Sequence, residues 1–170
     1  IVIDDIVERV FLTTDYPVTD EVTTDLPVFD APLSFGLGLI VGGSGSGKST
    51  ILKKFFVMPD EPKWDNNKAV CSHFHSYENA KDRLSAVGLN SIPSWLRPYH
   101  TLSNGEQYRA NLARQIGCAV AIDEFTSVVD RNVAKSCSTA LSKYIKNNGL
   151  HGVVLASCHY DIIEWLEPDW

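Results

Sequence analysis

The chain has 170 residues, 44% of them hydrophobic and 21% charged, which is the balance of a single globular domain with its own core. A net charge of -6 excludes a global basic surface for nucleic acid or anionic membranes and leaves only a local basic patch for such contacts. No apolar run approaches the roughly 18 residues of a transmembrane segment, and no secretory signal begins the sequence, so we expect a cytoplasmic protein. The first residue is Ile rather than Met, which is also compatible with a piece of a longer chain.

Residues 1–35 are predicted to form edge strands and turns of the same domain. Residues 1–12 have apolar side chains at both helical and strand spacings. The segment TTDYPV at residues 13–18 is then repeated as TTDLPV at residues 23–28, and its Pro and Asp residues exclude a long helix. Short strands joined by turns are the simplest structure for this composition.

Residues 36–170 show a regular alternation of apolar strands and helices. Strands are predicted at 36–41, 69–75, 118–122 and 152–157, and helices at 49–57, 76–88, 103–117, 131–149 and 160–167. Continuous apolar strands that alternate with helices predict an α/β domain with a mostly parallel sheet covered by helices on both faces. The four cysteines are far apart and form no C-x-x-C pair, so we expect reduced thiols, most of them buried.

The segment GGSGSGKST at residues 42–50 matches the phosphate-loop pattern G-x-x-x-x-G-K-[ST] between a predicted strand and a predicted helix. Glycines allow the backbone to surround phosphates, Lys48 can reach the β- and γ-phosphates, and the Ser49 hydroxyl can ligate Mg²⁺. The sequence therefore predicts a P-loop NTPase that binds ATP and Mg²⁺. The predicted nucleotide-binding residues are Gly42, Gly43, Ser44, Gly45, Ser46, Gly47, Lys48, Ser49 and Thr50.

Two further strands end in polar residues that can serve the same nucleotide. The strand CAVAI is followed by Asp123, which we expect to hold Mg²⁺ through its water, and by Glu124, which can polarise an attacking water. The strand at 152–157 is followed by His159, which can hydrogen-bond a γ-phosphate. Both strand ends should lie at the edge of the sheet where open α/β folds bind ligands.

The segment LSNGE at residues 102–106 predicts the start of a helix, with Ser103 and Glu106 forming a capping box. The N–H groups at such a helix end also form a site for a phosphate. The order of phosphate loop, LSNGE, IDEF, TSVVD and a strand ending at His159 resembles the ATP-binding-cassette (ABC) ATPase superfamily over residues 36–166. Glu106 at the last place of the signature motif is similar to the chromosome-maintenance and recombination-repair branch.

This resemblance implies a composite site made by two subunits arranged head to tail. ATP bound at Lys48 of one subunit would be closed by the signature motif of the other, so hydrolysis would need an ATP-dependent homodimer. The resemblance implies that Glu124 is the catalytic base, that His159 senses the γ-phosphate and that the D-loop residue Asp130 couples the two sites. The signature residues implied to act in trans are Ser103, Asn104, Gly105 and Glu106.

The sequence departs from the family pattern in three places. Asp123 follows Lys48 by only 75 residues, which predicts a reduced helical subdomain and a compact, non-transporter type. The Q-loop glutamine is missing, so either another residue, with Ser72, His73 and His75 as the candidates, completes the magnesium shell, or that coupling is lost. No aromatic residue clearly occupies the adenine-stacking place, for which the candidates are Tyr16, Phe29 and Phe35.

We therefore expect an ABC-type ATPase domain that hydrolyses ATP to drive a partner or a fused domain. The alternatives are a P-loop kinase that transfers the γ-phosphate to a nucleotide, a modified DNA base or a small-molecule hydroxyl, a nucleotide-gated switch, and the nucleotide-binding subunit of a transporter.

Overall fold

A parallel sheet with strand order β1-β3-β2 lies at the centre of the computed structural model, which describes residues 2–14, 32 and 34–170. The strands in this part of the chain are β1 (Leu37–Val41), β2 (Ala121–Ile122) and β3 (Val153–Ser157). The helices are α1 (Asp5–Thr14), α2 (Lys48–Phe55), α3 (Tyr77–Ala86), α4 (Ile92–Trp95), α5 (Asn104–Gln115), α6 (Arg131–Asn147) and α7 (Ile162–Leu166), with 3-10 turns at Val70–His73 and Tyr99–Thr101. The α/β fold with a parallel sheet is as predicted.

Strand β3 forms the middle of the sheet, and all five of its residues are buried. Leu39 of β1 pairs with Leu155, and Ala121 of β2 pairs with Val154. A strand that is buried on both faces needs a continuous apolar sequence, which VVLAS provides. The main core joins this sheet to α3, α5, α6 and α7, while a smaller cluster around Leu52 of α2 packs on the sheet through Val154 and Ala156.

The outer edge of β1 is covered by the end of the chain. The N–H of Leu39 donates to the carbonyl oxygen of Trp170 at 3.0 Å, and the N–H of Asp169 donates to that of Leu37 at 2.8 Å. The Asp169 carboxylate also accepts from the N–H groups of Gly36 and Leu37. These bonds satisfy the backbone groups that an edge strand exposes.

The segment between α2 and α5 is short and contains only α3, α4 and two 3-10 turns as regular elements. This agrees with the prediction of a reduced helical subdomain. Ser76 caps α3 by accepting from the Asn79 N–H, and Gly88 follows the helix with φ of 71°, so this helix lies where it was predicted.

One predicted strand is wrong and another is shorter than predicted. Residues 70–73 form a 3-10 turn rather than a strand, because Val70 is buried and its N–H donates to Arg97, while Ser72 donates back to Ala69. The predicted strand at 118–122 is reduced to β2, because Ala119 has a left-handed φ of 54° and its N–H donates sideways to the carbonyl oxygen of His151.

The edge strands expected in residues 1–35 are contradicted at residues 5–14, which form α1. Asp4 caps this helix, since its Oδ1 accepts from the N–H groups of Ile6 and Val7 at 3.1 and 2.9 Å. The repeat at residues 13–18 and 23–28 lies almost entirely outside the described residues. In the described part of the chain no helix is long and apolar enough to cross a membrane.

Candidate nucleotide site

All three parallel strands end at one edge of the sheet, and a cleft of about 160 Å³ opens there. The loop after β1, the carboxylates after β2 and the residues after β3 meet in this cleft. Its lining residues are Ser44, Gly45, Ser46, Lys48, Ser49, Asp123, Glu124, Ser157 and Cys158. The structure thus brings together most of the predicted phosphate-loop side chains and both predicted carboxylates.

The loop between β1 and α2 turns sharply at two glycines and is held by Lys48. Gly45 and Gly47 have left-handed φ angles of 76° and 86°, which only glycine adopts without strain. The Lys48 ammonium donates to the carbonyl oxygens of Gly42 and Gly43 at 2.8 and 2.7 Å. An ammonium group has three N–H donors, so one remains for an anion in the cleft.

Ser49 and Asp123 face the same cleft from α2 and from the end of β2. Asp123 Oδ1 accepts the Glu124 N–H at 2.9 Å, an orientation that fixes the carboxylate. A hydroxyl and a carboxylate are the oxygen donors that Mg²⁺ prefers, so these two side chains fit the ion that the sequence predicts. Glu124 is exposed in the cleft and has a left-handed φ of 53°, an uncommon conformation for a non-glycine residue.

The end of β3 contributes two cleft residues that the sequence reasoning missed, Ser157 and Cys158. Their position in the sequence could have indicated them, because both immediately precede His159 at the carboxyl end of a buried parallel strand. The Ser157 hydroxyl donates to the carbonyl oxygen of Phe125 at 2.8 Å and accepts the His159 N–H at 3.1 Å. His159 follows the cleft residue Cys158 directly but is not among the lining residues, and its Nδ1 is buried without a hydrogen-bond partner in the described part of the chain.

The signature residues lie outside the cleft, at the exposed start of α5. Ser103 and Glu106 form the predicted capping box, with the Ser103 N–H and hydroxyl both donating to Glu106 Oε2. Hydrogen bonds from Ser94 and Ser103 and the nearby Arg97 lower the pKa of Glu106 to about 2. The carboxylate is therefore charged at neutral pH, as its donors require.

Asp130 is the N-cap of α6. Its side chain accepts from the N–H groups of Asn132 and Val133, both at 3.0 Å. This cap starts a helix of 17 residues and places Asp130 on the surface, away from the residues that line the cleft.

The residues considered as substitutes for the missing Q-loop glutamine do not reach the cleft. His73 is fixed by its own neighbourhood, with Nε2 accepting from the Asp65 N–H at 2.9 Å and Nδ1 at 3.0 Å from the carbonyl oxygen of Ala69. His73 and His75 line a separate cavity with Arg83 and Arg114. The 3-10 turn directs this segment away from the cleft, so of the two alternatives the one in which these residues complete the magnesium shell has no support in the structure.

The expectations for the adenine-stacking residue and for the buried cysteines are also corrected. Phe35 packs edge-on against Trp170 at the smaller core cluster and does not line the cleft, whereas Tyr16 and Phe29 lie outside the described residues. All four cysteines are free thiols, but only Cys137 is buried, because Cys71 is half-buried and Cys118 and Cys158 are exposed.

The comparison that decides the fold is with solved structures. The ATP-binding cassette MJ0796 superposes on this chain with a TM-score of 0.60 at 15% identity, in a dimeric, post-hydrolysis structure bound to ADP and Pi. The match covers 88% of this chain and 87% of that one. The chain has the fold of an ABC ATPase cassette. A second dimeric structure of MJ0796, a bacterial ABC transporter cassette, gives a TM-score of 0.55 at 16% identity over 77% of this chain and 78% of that one.

An inward-facing ABC transporter structure shares the ABC fold as well. It matches with a TM-score of 0.52 and 18% identity over 76% of this chain and 65% of the other. No protein-family model and no curated protein matches the sequence. At these identities the likeness establishes the fold, as the resemblance of the motifs predicted, and the chemistry has to be argued from the site.

Proposed function

We propose that the chain is an ABC-type ATPase domain that binds Mg·ATP, pairs head to tail with a second copy around two nucleotides, and hydrolyses ATP to drive a partner or a fused domain. The observation that carries this proposal is the cleft in which Lys48, Asp123 and Glu124 converge at one edge of the sheet. A phosphate loop, an oxygen-donor pair and a free carboxylate are the parts that phosphoryl transfer to water requires.

The phosphate loop, Ser49, Asp123, Glu124 and His159 each have a chemical role in this proposal. The loop N–H groups and Lys48 bind the β- and γ-phosphates, and the charge that develops between them is stabilised at the start of α2. Ser49 directly and Asp123 through a water would hold Mg²⁺, which when bound neutralises phosphate charge. Glu124 orients the attacking water and accepts its proton, and His159 donates a hydrogen bond to the γ-phosphate.

The position of the signature motif supports a site completed by a second copy. Ser103 and Asn104 are exposed at the N-terminus of α5, whereas the phosphate cleft lies at the edge of the sheet without them. A helix N-terminus with exposed N–H groups attracts an anion, and the γ-phosphate of a neighbouring copy's nucleotide meets that requirement. The structures of MJ0796, which are dimeric and in one case bound to ADP and Pi, support the same arrangement for this chain.

The test is the fate of the γ-phosphate. Purified protein is incubated with Mg·ATP, and free phosphate and phosphorylated products are measured for wild type, Glu124→Gln and Lys53→Met, the last a control at an exposed lysine of α2. We expect free phosphate from wild type and the control, and at least about 100-fold less from Glu124→Gln. If ADP is released without free phosphate and the γ-phosphate is found on an acceptor molecule, the chain is a kinase rather than a hydrolase.

A further inference from the structure

Tyr108 lies one turn into α5, the helix that begins at the signature motif, and it contacts the loop that carries Glu124. Its hydroxyl oxygen accepts the Thr126 N–H at 2.9 Å. Tyr108 and Asp123 also line a common cavity of about 220 Å³. One side chain of the signature helix therefore touches the segment that positions both carboxylates.

The Glu124 loop is strained, and Tyr108 stabilises its most strained residue. Glu124 and Thr126 both have left-handed backbone, with φ of 53° and 66°, on either side of the fully buried Phe125. A positive φ is a genuine outlier for a β-branched residue such as Thr126, so surrounding bonds must maintain it. Among them is the hydrogen bond to Tyr108, because Thr126 is buried and its N–H needs an acceptor.

The other side of the loop is attached to β3. The Phe125 N–H donates to the carbonyl oxygen of Ala156 at 2.8 Å, and the Phe125 carbonyl accepts from Ser157 at 2.8 Å. The loop is thus bound to the sheet through Phe125 and to α5 through Thr126. The Ser127 N–H and hydroxyl both donate to the carbonyl oxygen of Glu124, at 3.0 and 2.8 Å. A shift of α5 relative to the sheet would therefore displace Thr126 and Ser127, and with them the Glu124 carbonyl.

The Tyr108 hydroxyl is suited to a fixed mechanical role rather than to proton transfer. Burial, with a smaller effect from the nearby Cys137 thiol, raises the pKa of Tyr108 far above its ordinary value. The phenol therefore stays neutral and keeps its acceptor oxygen for Thr126 throughout the pH range in which proteins work. Cys137 of α6 is likewise buried, which raises the pKa of its thiol to about 12 and keeps this neighbour uncharged.

We propose that Tyr108 is a positioning residue that couples the signature end of α5 to the orientation of Glu124 in the same chain. When the start of α5 engages a nucleotide held by a second copy, the helix transmits that contact through Tyr108 and Thr126 to the general base. The inference rests on the proposed function, because it assigns Glu124 its role there. It adds a link within one subunit between the signature motif and the catalytic carboxylate.

The test compares Tyr108→Phe with Tyr99→Phe, a matched loss of a hydroxyl. The Tyr99 hydroxyl also accepts a hydrogen bond at 2.9 Å, but from Asn111 of α5 rather than from a residue of the Glu124 loop. We expect Tyr108→Phe to lower kcat about 10-fold or more while KM for ATP changes less than about 3-fold, because misplacement of a catalytic group acts on the chemical step. Tyr99→Phe should leave kcat within about 2-fold, although both variants lose thermal stability.

Two further readouts separate positioning from general destabilisation. Deuterium uptake by the segment 124–127 should rise in Tyr108→Phe and stay at the wild-type level in Tyr99→Phe. In a Thr126→Gly background, where a positive φ is unstrained, the loss of kcat caused by Tyr108→Phe should shrink to less than about 3-fold. An undiminished loss in that background would overturn the role assigned to the strained residue.

The remaining outcomes distinguish this inference from the proposed function. If wild type hydrolyses ATP and Tyr108→Phe retains its kcat, the inference is wrong and the proposed function stands. If wild type hydrolyses no ATP under conditions where it binds Mg·ATP, the proposed function fails and the positioning role fails with it.

Discussion

Ser103 and Glu106 bind each other at the start of α5: the Ser103 N–H lies 2.9 Å and its hydroxyl 2.8 Å from Glu106 Oε2. The other carboxylate oxygen, Oε1, accepts from the Ser94 hydroxyl and lies 3.5 Å from Arg97. One carboxylate therefore joins the helix end to α4 and to the segment after it. This arrangement shapes the surface that the signature motif presents.

Glu106→Gln is expected to destabilise the protein in a pH-dependent way. The pKa of Glu106 is lowered to about 2, first by Ser94 and then by Ser103, so its stabilisation is fully present above about pH 5 and is lost as the pH falls towards 2. We expect the variant to lose about 2 kcal/mol of unfolding free energy at pH 7.

Urea unfolding at a series of pH values checks this expectation. The difference between wild type and Glu106→Gln should shrink steadily between pH 5 and pH 2. Glu164→Gln, at an exposed position of α7, is the control and should change the unfolding free energy by less than about 0.5 kcal/mol. A Glu106→Gln deficit that is the same at pH 7 and pH 2.5 would show that the charge of the carboxylate is not what stabilises the helix start.

Lys48→Met is expected to weaken ATP binding at least about 30-fold, because the variant loses a charge-assisted hydrogen bond to phosphate worth about 2 kcal/mol. Its thermal stability should change little, since Lys48 is only half-buried. Titration calorimetry with Mg·ATP measures the affinity, and Lys53→Met is again the control. Equal affinities of the two variants would place the phosphates away from the loop after β1.

Mg·ATP is expected to protect Cys158 from alkylation. Cys158 lines the cleft at the carboxyl end of β3, while Cys118 is exposed at the opposite edge of the sheet, before β2. Peptide mass spectrometry after brief treatment with N-ethylmaleimide reports both thiols in one sample. Slower modification of Cys158 alone, with Cys118 unchanged, is the predicted pattern, and equal rates at Cys158 with and without nucleotide would contradict binding in this cleft.

Glu124→Gln is expected to trap ATP and stabilise the paired state, because the nucleotide binds but the attacking water is no longer activated. Light scattering should give a doubled mass for this variant only when Mg·ATP is present. Adding Lys48→Met to the same chain should abolish the doubling. A doubled mass without nucleotide would mean that the copies associate through another surface.

Five of the helices described (α2, α3, α5, α6 and α7) and two of the strands were predicted, because a local signal coincided with the tertiary structure, whereas α1 was expected as edge strands and α4 was not predicted. Ser76 and Ser103 mark helix starts by their caps, and VVLAS has the continuous apolar sequence of a central strand. The segment AVCSHFH has strand-like alternation as well, but among the described residues it forms only an isolated antiparallel bridge, between Ala69 and Pro98. Buried Val70 and the bonds of His73 wind it into a 3-10 turn instead.

The candidate site was predictable where it depends on strand ends and less so where it depends on long-range packing. Asp123 and Glu124 follow an apolar strand directly, and the structure places both in the cleft with Lys48. The hydrogen bond between Tyr108 and Thr126 joins residues that are 18 positions apart in the sequence, and no local pattern predicts it. The left-handed backbone of Thr126 could not be predicted from the sequence either, since threonine rarely adopts that conformation.

Complementation between two inactive variants is the most direct measurement of a site shared by two copies. Lys48→Met and Ser103→Arg should each lack ATPase activity, and mixing them in equal amounts should restore about a quarter of the wild-type rate. Half of the dimers would then be mixed, each with one intact site that combines Lys48 of one copy with Ser103 of the other. The composite site would be contradicted if mixing restored no activity although light scattering shows that the two variants form mixed pairs. Full activity of Ser103→Arg alone would contradict it as well.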